Sequence, residues 1–497
     1  MRRFHISIIL SLSAVSIVAQ TEGSKQKTLT LERAIKIATD SSLNAFMAKN
    51  MYLSDYWQYR SYKANRLPSL TLGATPMQYN HTFVQRYDSE NNIDVYKSQQ
   101  SIYSSANLSL TQNVDLTGGT FFIDTDLSYL SSFGADKREQ YSSVPIRVGY
   151  SQKLFGYNEF KWNRILEPLR FEKAKKELAY KMEEIAETTT GYFFNHVLNQ
   201  TLYDLAYSNM LNSDTLYQIG CERQKIGSIT EADLLTLRLN ALNAKDDLKE
   251  AAINLKKSAI VLSSFLRDEE TASLHLVIPE KISDIIIPES EALILARDNN
   301  PKIPQMKEQI LTAEQKLDRM KKEQRFSASV TASVGFNQVA NNLVGAYEKP
   351  LRQDLVSVTM TIPIVDWGVR KGRVNMAKSE LNTSRLSASQ AEQEFEQNIM
   401  ITVNEFNMRY SQIISAREAK KIADLAYEAM KQRFLIGKTD VNNLNISLSN
   451  KTSAQRNYIL SLRNYWEGYY NIRKQTLYDF MARRPLTAEY EGMKDIK

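Results

Sequence analysis

Cysteine is almost missing from this 497-residue chain: Cys221 stands alone, so no internal disulfide can staple the fold. Proline and glycine are scarce, at 11 and 17 residues, which removes the usual helix breakers and leaves room for long helices. The four histidines, His5, His81, His196 and His275, are scattered without zinc-ligand spacing. No phosphate loop, Gly-x-Ser-x-Gly elbow or HExxH pair occurs. Neither catalytic residues nor a cofactor or metal site is expected, and the chain does not read as an enzyme. Long uncharged apolar runs are lacking too, so no transmembrane helix is expected. Net charge is only +7, and basic residues alternate with acidic ones along the helical stretches. That pattern argues against nucleic acid as a partner.

What is present starts with a leader. Arg2 and Arg3 form a positive region, Ile6 to Ala19 is a short apolar run, and Ala19-Gln20 is a plausible cleavage point. Residues 1–20 therefore read as a secretory signal peptide, and with no Cys behind it a lipidated N-terminus is not expected. The 26 tyrosines suit strands and membrane interfaces. Trp57, Trp162, Trp367 and Trp466 lie near expected helix starts or within helices, where packing or interface anchoring explains them.

Self-similarity is the stronger signal. Residues 29–67 hold a short helical pattern and then a longer one, and residues 285–325 repeat that order. Thr30 and Ser290 are the candidate caps of the two short helices. Alternating sequence follows in each half. Leu70, Leu72 and Ala74 alternate with Ser69, Thr71 and Gly73; Ala328, Val330, Ala332, Val334 and Phe336 alternate with Ser329, Thr331, Ser333 and Gly335. Returning strands carry Ile146, Val148 and Tyr150 in the first half, and Val356, Val358, Met360 and Ile362 in the second. Strands of this period, apolar on one face and small-polar on the other, suit a membrane β-barrel; a soluble sandwich uses the same alternation.

The rest of each half is helical. One periodic stretch runs from Asn158 to about Gly220, interrupted only by Pro168, and another from Gly368 to about Gly437 without proline. Each would be about 90–100 Å long and is answered by a second helix of about 40 residues, as in a helical hairpin. The two turns align, Arg223-Gln-Lys-Ile-Gly227 against Arg433-Phe-Leu-Ile-Gly437. Each glycine is placed to end a helix in the left-handed conformation, with Thr230 and Thr439 or Asp440 as caps of the next. The domain reading is a first repeat over 21–283, a second over 284–482, and a tail over 483–497. Two strand pairs cannot close a barrel, and an open sheet edge is not tolerated in lipid, so a membrane sheet would require oligomerisation.

The element order, the duplication, the tips IGSITEADLL and IGKTDVNNL and the junction TIPIVDWGVRKGRV resemble the TolC-like outer membrane factor family. The resemblance covers about 28–482. It implies an α+β fold: a trimeric outer-membrane β-barrel continued by a long periplasmic α-helical barrel. It also implies an exit duct of a tripartite efflux or type I secretion system that conducts passively. The implied partners are two further copies in a homotrimer, a periplasmic adaptor, an inner-membrane pump of RND, ABC or MFS type, and outer-membrane lipid. The adaptor is expected to dock at the tips, around Ile226, Gly227, Ile436 and Gly437. Arg223, Asp233, Arg433, Asp440, Asn443 and Ile446 are the candidate periplasmic gate. Asn443 and Ile446 stand where relatives carry gate aspartates, and Asp233 also fits as a first-turn acid favoured by the helix dipole. The rival from another class is a periplasmic coiled-coil scaffold with a soluble β-domain.

One segment departs from the family pattern. Residues 101–131, with a Thr117-Gly118-Gly119 turn and Ile123, Thr125, Leu127 and Tyr129 on one face, read as an additional hairpin of the first half. Joined to the wall, it would give a trimer eighteen strands in place of twelve; folded elsewhere, it would leave twelve.

Overall fold

The computed structural model describes residues 28–133, 137–268 and 275–486. The signal-peptide reading of residues 1–20 and most of the proposed tail lie outside these residues. The helices are α1 (Leu31–Ser41), α2 (Leu43–Ala64), α3 (Glu159–Lys225), α4 (Glu231–Leu266), α5 (Glu289–Asn299), α6 (Lys302–Gln324), α7 (Gly345–Glu348), α8 (Val369–Leu435) and α9 (Val441–Thr476). The longer strands are β2 (Ser69–Asp88), β3 (Ile93–Val114), β4 (Gly119–Phe133), β5 (Arg138–Leu154), β7 (Ser327–Ala340) and β8 (Leu351–Thr361). Two-residue strands β1 (Thr28–Leu29) and β6 (His275–Leu276) pair parallel; β9 (Tyr478–Asp479) and β10 (Arg484–Pro485) pair antiparallel.

The helical hairpin recurs at one spacing. α3 and α8 each have 67 residues and α4 and α9 each have 36, and both 369 − 159 and 476 − 266 give 210. Pro168 lies inside α3 without ending it. Its missing N–H leaves the Arg164 carbonyl without its helical partner, a loss that one position in a long, packed helix can absorb. Thr30 caps α1 as expected, its Oγ1 accepting from Arg33 N at 3.3 Å. Ser290 does not cap α5. That helix starts two residues earlier than such a cap would allow, after Pro288, whose φ of −66° and ψ of 130° lead into it, and Glu289 and Glu291 face the positive end of its dipole.

The described chain falls into two compact units, each drawing on both halves of the sequence. One takes residues up to Ala38, Thr189–Lys281 and Ala423–Leu460; the other takes Thr39–Thr188, Ile282–Ile422 and residues from Ser461 onward. The second unit carries a six-stranded, wholly antiparallel sheet in the order β2-β3-β4-β5-β7-β8. The additional hairpin is thus β3–β4, and it lies between β2 and β5 rather than apart from the sheet.

The register explains why. Leu70 opposes Leu110, which opposes Ile123, then Val148, then Val334, so one apolar row crosses five strands in a line. A neighbouring row runs Phe121, Tyr150, Ala332, Val356. Many of these side chains are exposed, Leu72 by 72% and Val356 by 75%, so the face as a whole lacks a covering layer. The opposite face holds Thr71, Ser109, Asp124, Arg147 and Gly335 in one row. There Arg147 bonds both oxygens of Asp124, one at 3.0 Å, and Ser151 meets Thr331 at 3.1 Å. No helix among the described residues is long and apolar enough to cross a membrane.

The same unit anchors the end of α9. Arg473 donates to Glu183 at 2.9 Å and to Asp479 at 3.0 Å, and all three side chains are largely buried. Asp479 also accepts from the Tyr469 hydroxyl at 2.5 Å and from the amides of Met481 and Ala482. Burial works against its charge, but the Tyr469 hydroxyl, the two amides and Arg473 outweigh it and hold this carboxyl below the usual range. Burial, with the hydrogen bond to Asp479, pushes Tyr469 well above an ordinary phenol; nearby, burial pushes Tyr465 up to about 12.

Candidate functional site at the helical tips

The first unit ends in two helix-to-helix turns, and both are built alike. Gly227 has φ +71° and Gly437 has φ +75°, the left-handed region that a Cβ disfavours. The Gly227 amide bonds the Gln224 carbonyl and the Ser228 amide the Arg223 carbonyl; in the second turn Gly437 bonds Phe434 and Lys438 bonds Arg433. This is the Schellman arrangement, closed twice with the same spacing. It satisfies the last carbonyls of α3 and α8 and places Arg223 and Arg433 one turn before each end, where a cation suits the dipole.

The helices that follow are capped by side chains. Thr230 accepts from the Asp233 amide at 3.1 Å, and Asp233 accepts from the Thr230 amide at 3.2 Å, a full capping box. Asp440, rather than Thr439, caps α9: it accepts from the Asn443 amide at 2.8 Å and from the Asn443 side chain at 2.9 Å. Both acids proposed for the gate are therefore engaged at their own helix starts. Ile226, Ile436 and Ile446 are all exposed, by 76%, 66% and 59%, and form the apolar surface of the tips.

Beneath the turns the four helices share a small core of Leu216, Leu237, Tyr427, Phe434, Val441 and Leu444. Gly220 lets α4 approach, since a Cβ there would lie 2.6 Å from Leu237 Cδ1. Polar bonds then tie one hairpin to the other. Arg223 Nη1 donates to the Phe434 carbonyl at 3.0 Å, and its guanidinium lies 5.6 Å from the Phe434 ring centre. Lys431 donates to Asn212 at 2.8 Å and Asn240 to Asn445 at 3.2 Å.

Of the residues read from the sequence, Arg223 alone makes a bond across the two tips, and its partner Phe434 was not among them. A signal for it exists in the aligned turns. Gln224 in the first stands where Phe434 stands in the second, so an aromatic occurs at one tip only. The Arg433 side chain has no hydrogen-bond or ion-pair partner among the described residues. Sequence reasoning also missed the Lys431–Asn212 and Asn240–Asn445 ties, which join residues more than 200 positions apart. No group of three or more His, Cys, Asp or Glu side chains among the described residues is placed to hold a metal ion.

The fold thus combines an antiparallel sheet with one uncovered apolar face and two equal helical hairpins ending in twin turns. Residues 293–474 match the family model described as Outer membrane efflux protein, in agreement with the resemblance read from the tips and the strand-to-helix junction. No curated protein matches the chain. Among solved structures, the Campylobacter jejuni CmeC outer membrane channel superposes with a TM-score of 0.65 at 16% identity, over 90% of this chain and 85% of that one. The Vibrio cholerae outer membrane protein VceC gives 0.62 at 11% identity, over 90% and 95%. The open state of the Neisseria gonorrhoeae MtrE outer membrane channel gives 0.58 at 14% identity, over 90% and 88%. At these identities the likeness speaks to the fold.

Proposed function

We propose that this protein is an outer-membrane exit duct, a homotrimer that passively conducts substrates delivered by an inner-membrane pump and a periplasmic adaptor. The observation that carries the reading is the sheet. Its apolar rows cross the strands in register, they are exposed, and the outer edges of β2 and β8 have no partner strand among the described residues. Water disfavours such a face, and lipid does not tolerate such edges, so the sheet calls for both a bilayer and further copies. The helical hairpins carry many charges and belong to the aqueous periplasm, with the turns at Gly227 and Gly437 as the place where an adaptor grips. Arg223, through the Phe434 carbonyl, is one bond that holds the tips together, and Arg433 is free to bond a neighbouring copy. The family match over 293–474 supports efflux as the task of the duct.

Fractionation and a deletion strain test this reading. A heat-resistant trimer in the outer membrane and raised sensitivity to exported compounds, or loss of a secreted protein, are expected. A soluble monomer would overturn it in favour of the scaffold alternative.

A further inference from the structure

The sheet itself shows how it can be completed. It has an even number of strands, all antiparallel, so its edges β2 and β8 run in opposite directions. Both edges abut helices at one end of the sheet: β2 starts at Ser69 after α2, and β8 ends at Thr361 before α8. The row that starts at Leu70, one residue into β2, passes through Leu110, Ile123, Val148 and Val334 and reaches Asp354, seven residues before the end of β8. The row thus climbs six residues over five strand-to-strand steps. At about 3.3 Å per residue and about 4.8 Å between strands, that is a tilt of about 40°. Closed barrels need this inclination, about 35–45°.

The hairpin β3–β4 belongs to the tilted sheet by side-chain chemistry as well as by register. On the polar face Arg147 of β5 grips Asp124 of β4 through both oxygens. Beside it the Phe122 ring lies over Gly149, where a Cβ would come within 2.2 Å of the ring. On the apolar face Phe121 packs on Tyr150 with ring centres 4.5 Å apart, and Tyr129 on Tyr141 at 4.8 Å. A hairpin folded away from the wall would lose all four contacts and bring β2 against β5.

We propose that β2 of one copy pairs with β8 of the next, so that three copies close a single barrel of eighteen strands with the β3–β4 hairpin in its wall. The proposal rests on the trimeric duct reading and adds to it the identity of the joining edges and the bore. At 40° tilt, eighteen strands give a barrel of about 36 Å diameter between backbones, against about 24 Å for twelve. The exit is then in the range of barrels that keep an aqueous channel rather than a side-chain-filled core.

Cysteine pairs introduced in a Cys221→Ser background and oxidised in outer-membrane preparations test it. Thr71→Cys with Thr359→Cys should join copies into reducible covalent oligomers. Ser357→Cys and Thr361→Cys serve as register alternatives on the same face. Thr71→Cys with Ser109→Cys, and Thr120→Cys with Ser151→Cys, should form disulfides within one copy. Electron cryo-microscopy of the trimer in lipid nanodiscs should count eighteen strands. A disulfide between Thr71→Cys and Ser151→Cys, a count of twelve, or a membrane trimer in which none of the β2–β8 pairs joins copies overturns the proposal while leaving the duct intact. Failure to find any membrane-inserted trimer overturns the duct reading and the proposal with it.

Discussion

Replacing Gly437 by alanine should loosen the helical tips more than the same change at Gly227, although the two turns have the same backbone. Each glycine has a φ above +70°, so a Cβ at either position costs about 1 kcal/mol through left-handed strain. At Gly227 the new methyl meets nothing within 4 Å; at Gly437 it comes within 2.8 Å of Arg223 Nη2. The guanidinium must then move, and its 3.0 Å bond to the Phe434 carbonyl is weakened or lost. A partly exposed bond of this kind contributes about 1 kcal/mol. Opening of the tip should therefore rise about 5-fold in Gly227→Ala and about 30-fold in Gly437→Ala. Native-state hydrogen exchange, read by mass spectrometry on peptides spanning 216–230 and 427–441, measures it. Arg223→Ala should abolish the difference, so that Gly437→Ala in that background costs no more than Gly227→Ala. Equal effects in the parent, or a difference that survives removal of Arg223, would refute the assignment of Arg223 as a bond that fastens the two tips.

The Arg473 cluster should be the least tolerant polar site near the end of α9. Arg473→Met takes the shared cation from two buried carboxylates, Glu183 and Asp479, and should cost about 3 kcal/mol, visible as a lowered melting temperature. Because the Asp479 carboxyl is held below its usual range, its contribution is fully present above about pH 4 and lost as pH falls through the lowered value. Asp479→Asn should erase that part of the acid sensitivity. Trp367 is 95% exposed and has a positive φ of 52°, at the junction between β8 and α8. It should anchor at the lipid interface, so its emission should be quenched by brominated lipids in a single-Trp variant; no quenching would count against that anchoring.

Much of this fold could be read from residue order because its signals are local. The glycines at 227 and 437, the capping residues Thr30, Thr230 and Asp440, and the alternation at 69–74 and 327–336 all act within a few residues. The strand pattern fades where both faces turn polar. Gln78, Asn80, His81 and Thr82 sit in the upper half of β2 without a consistent apolar phase, and the Thr75–Gln78 bulge shifts the phase by one residue. The short helix α7 gave no signal, and its position rests on a long-range bond, Ser143 Oγ to the Ala346 carbonyl. Whether residues 101–131 joined the sheet could not be decided by periodicity, since a hairpin alternates wherever it packs. The decision lies in the pairing of Ile123 with Val148 and of Asp124 with Arg147, which no local pattern encodes. At the tips, each candidate acid fitted both a gate and a helix cap. Its engagement in capping follows from hydrogen bonds within three residues of it, whereas the Arg223–Phe434 bond spans more than 200.

The match of 67 with 67 and 36 with 36 residues makes the two hairpins of one copy quasi-equivalent, so the proposed trimer would offer a partner six tips in place of three. Arg223 and Phe434 break that equivalence. Inside each copy the seam between tips is fastened by a bond reaching from the first hairpin to the second, and no counterpart reaches back from Arg433. A ring of three copies would therefore alternate fastened seams with seams that depend on a neighbour. A partner recognising six similar turns would meet two kinds of groove, and the softer kind would yield first when the ring dilates.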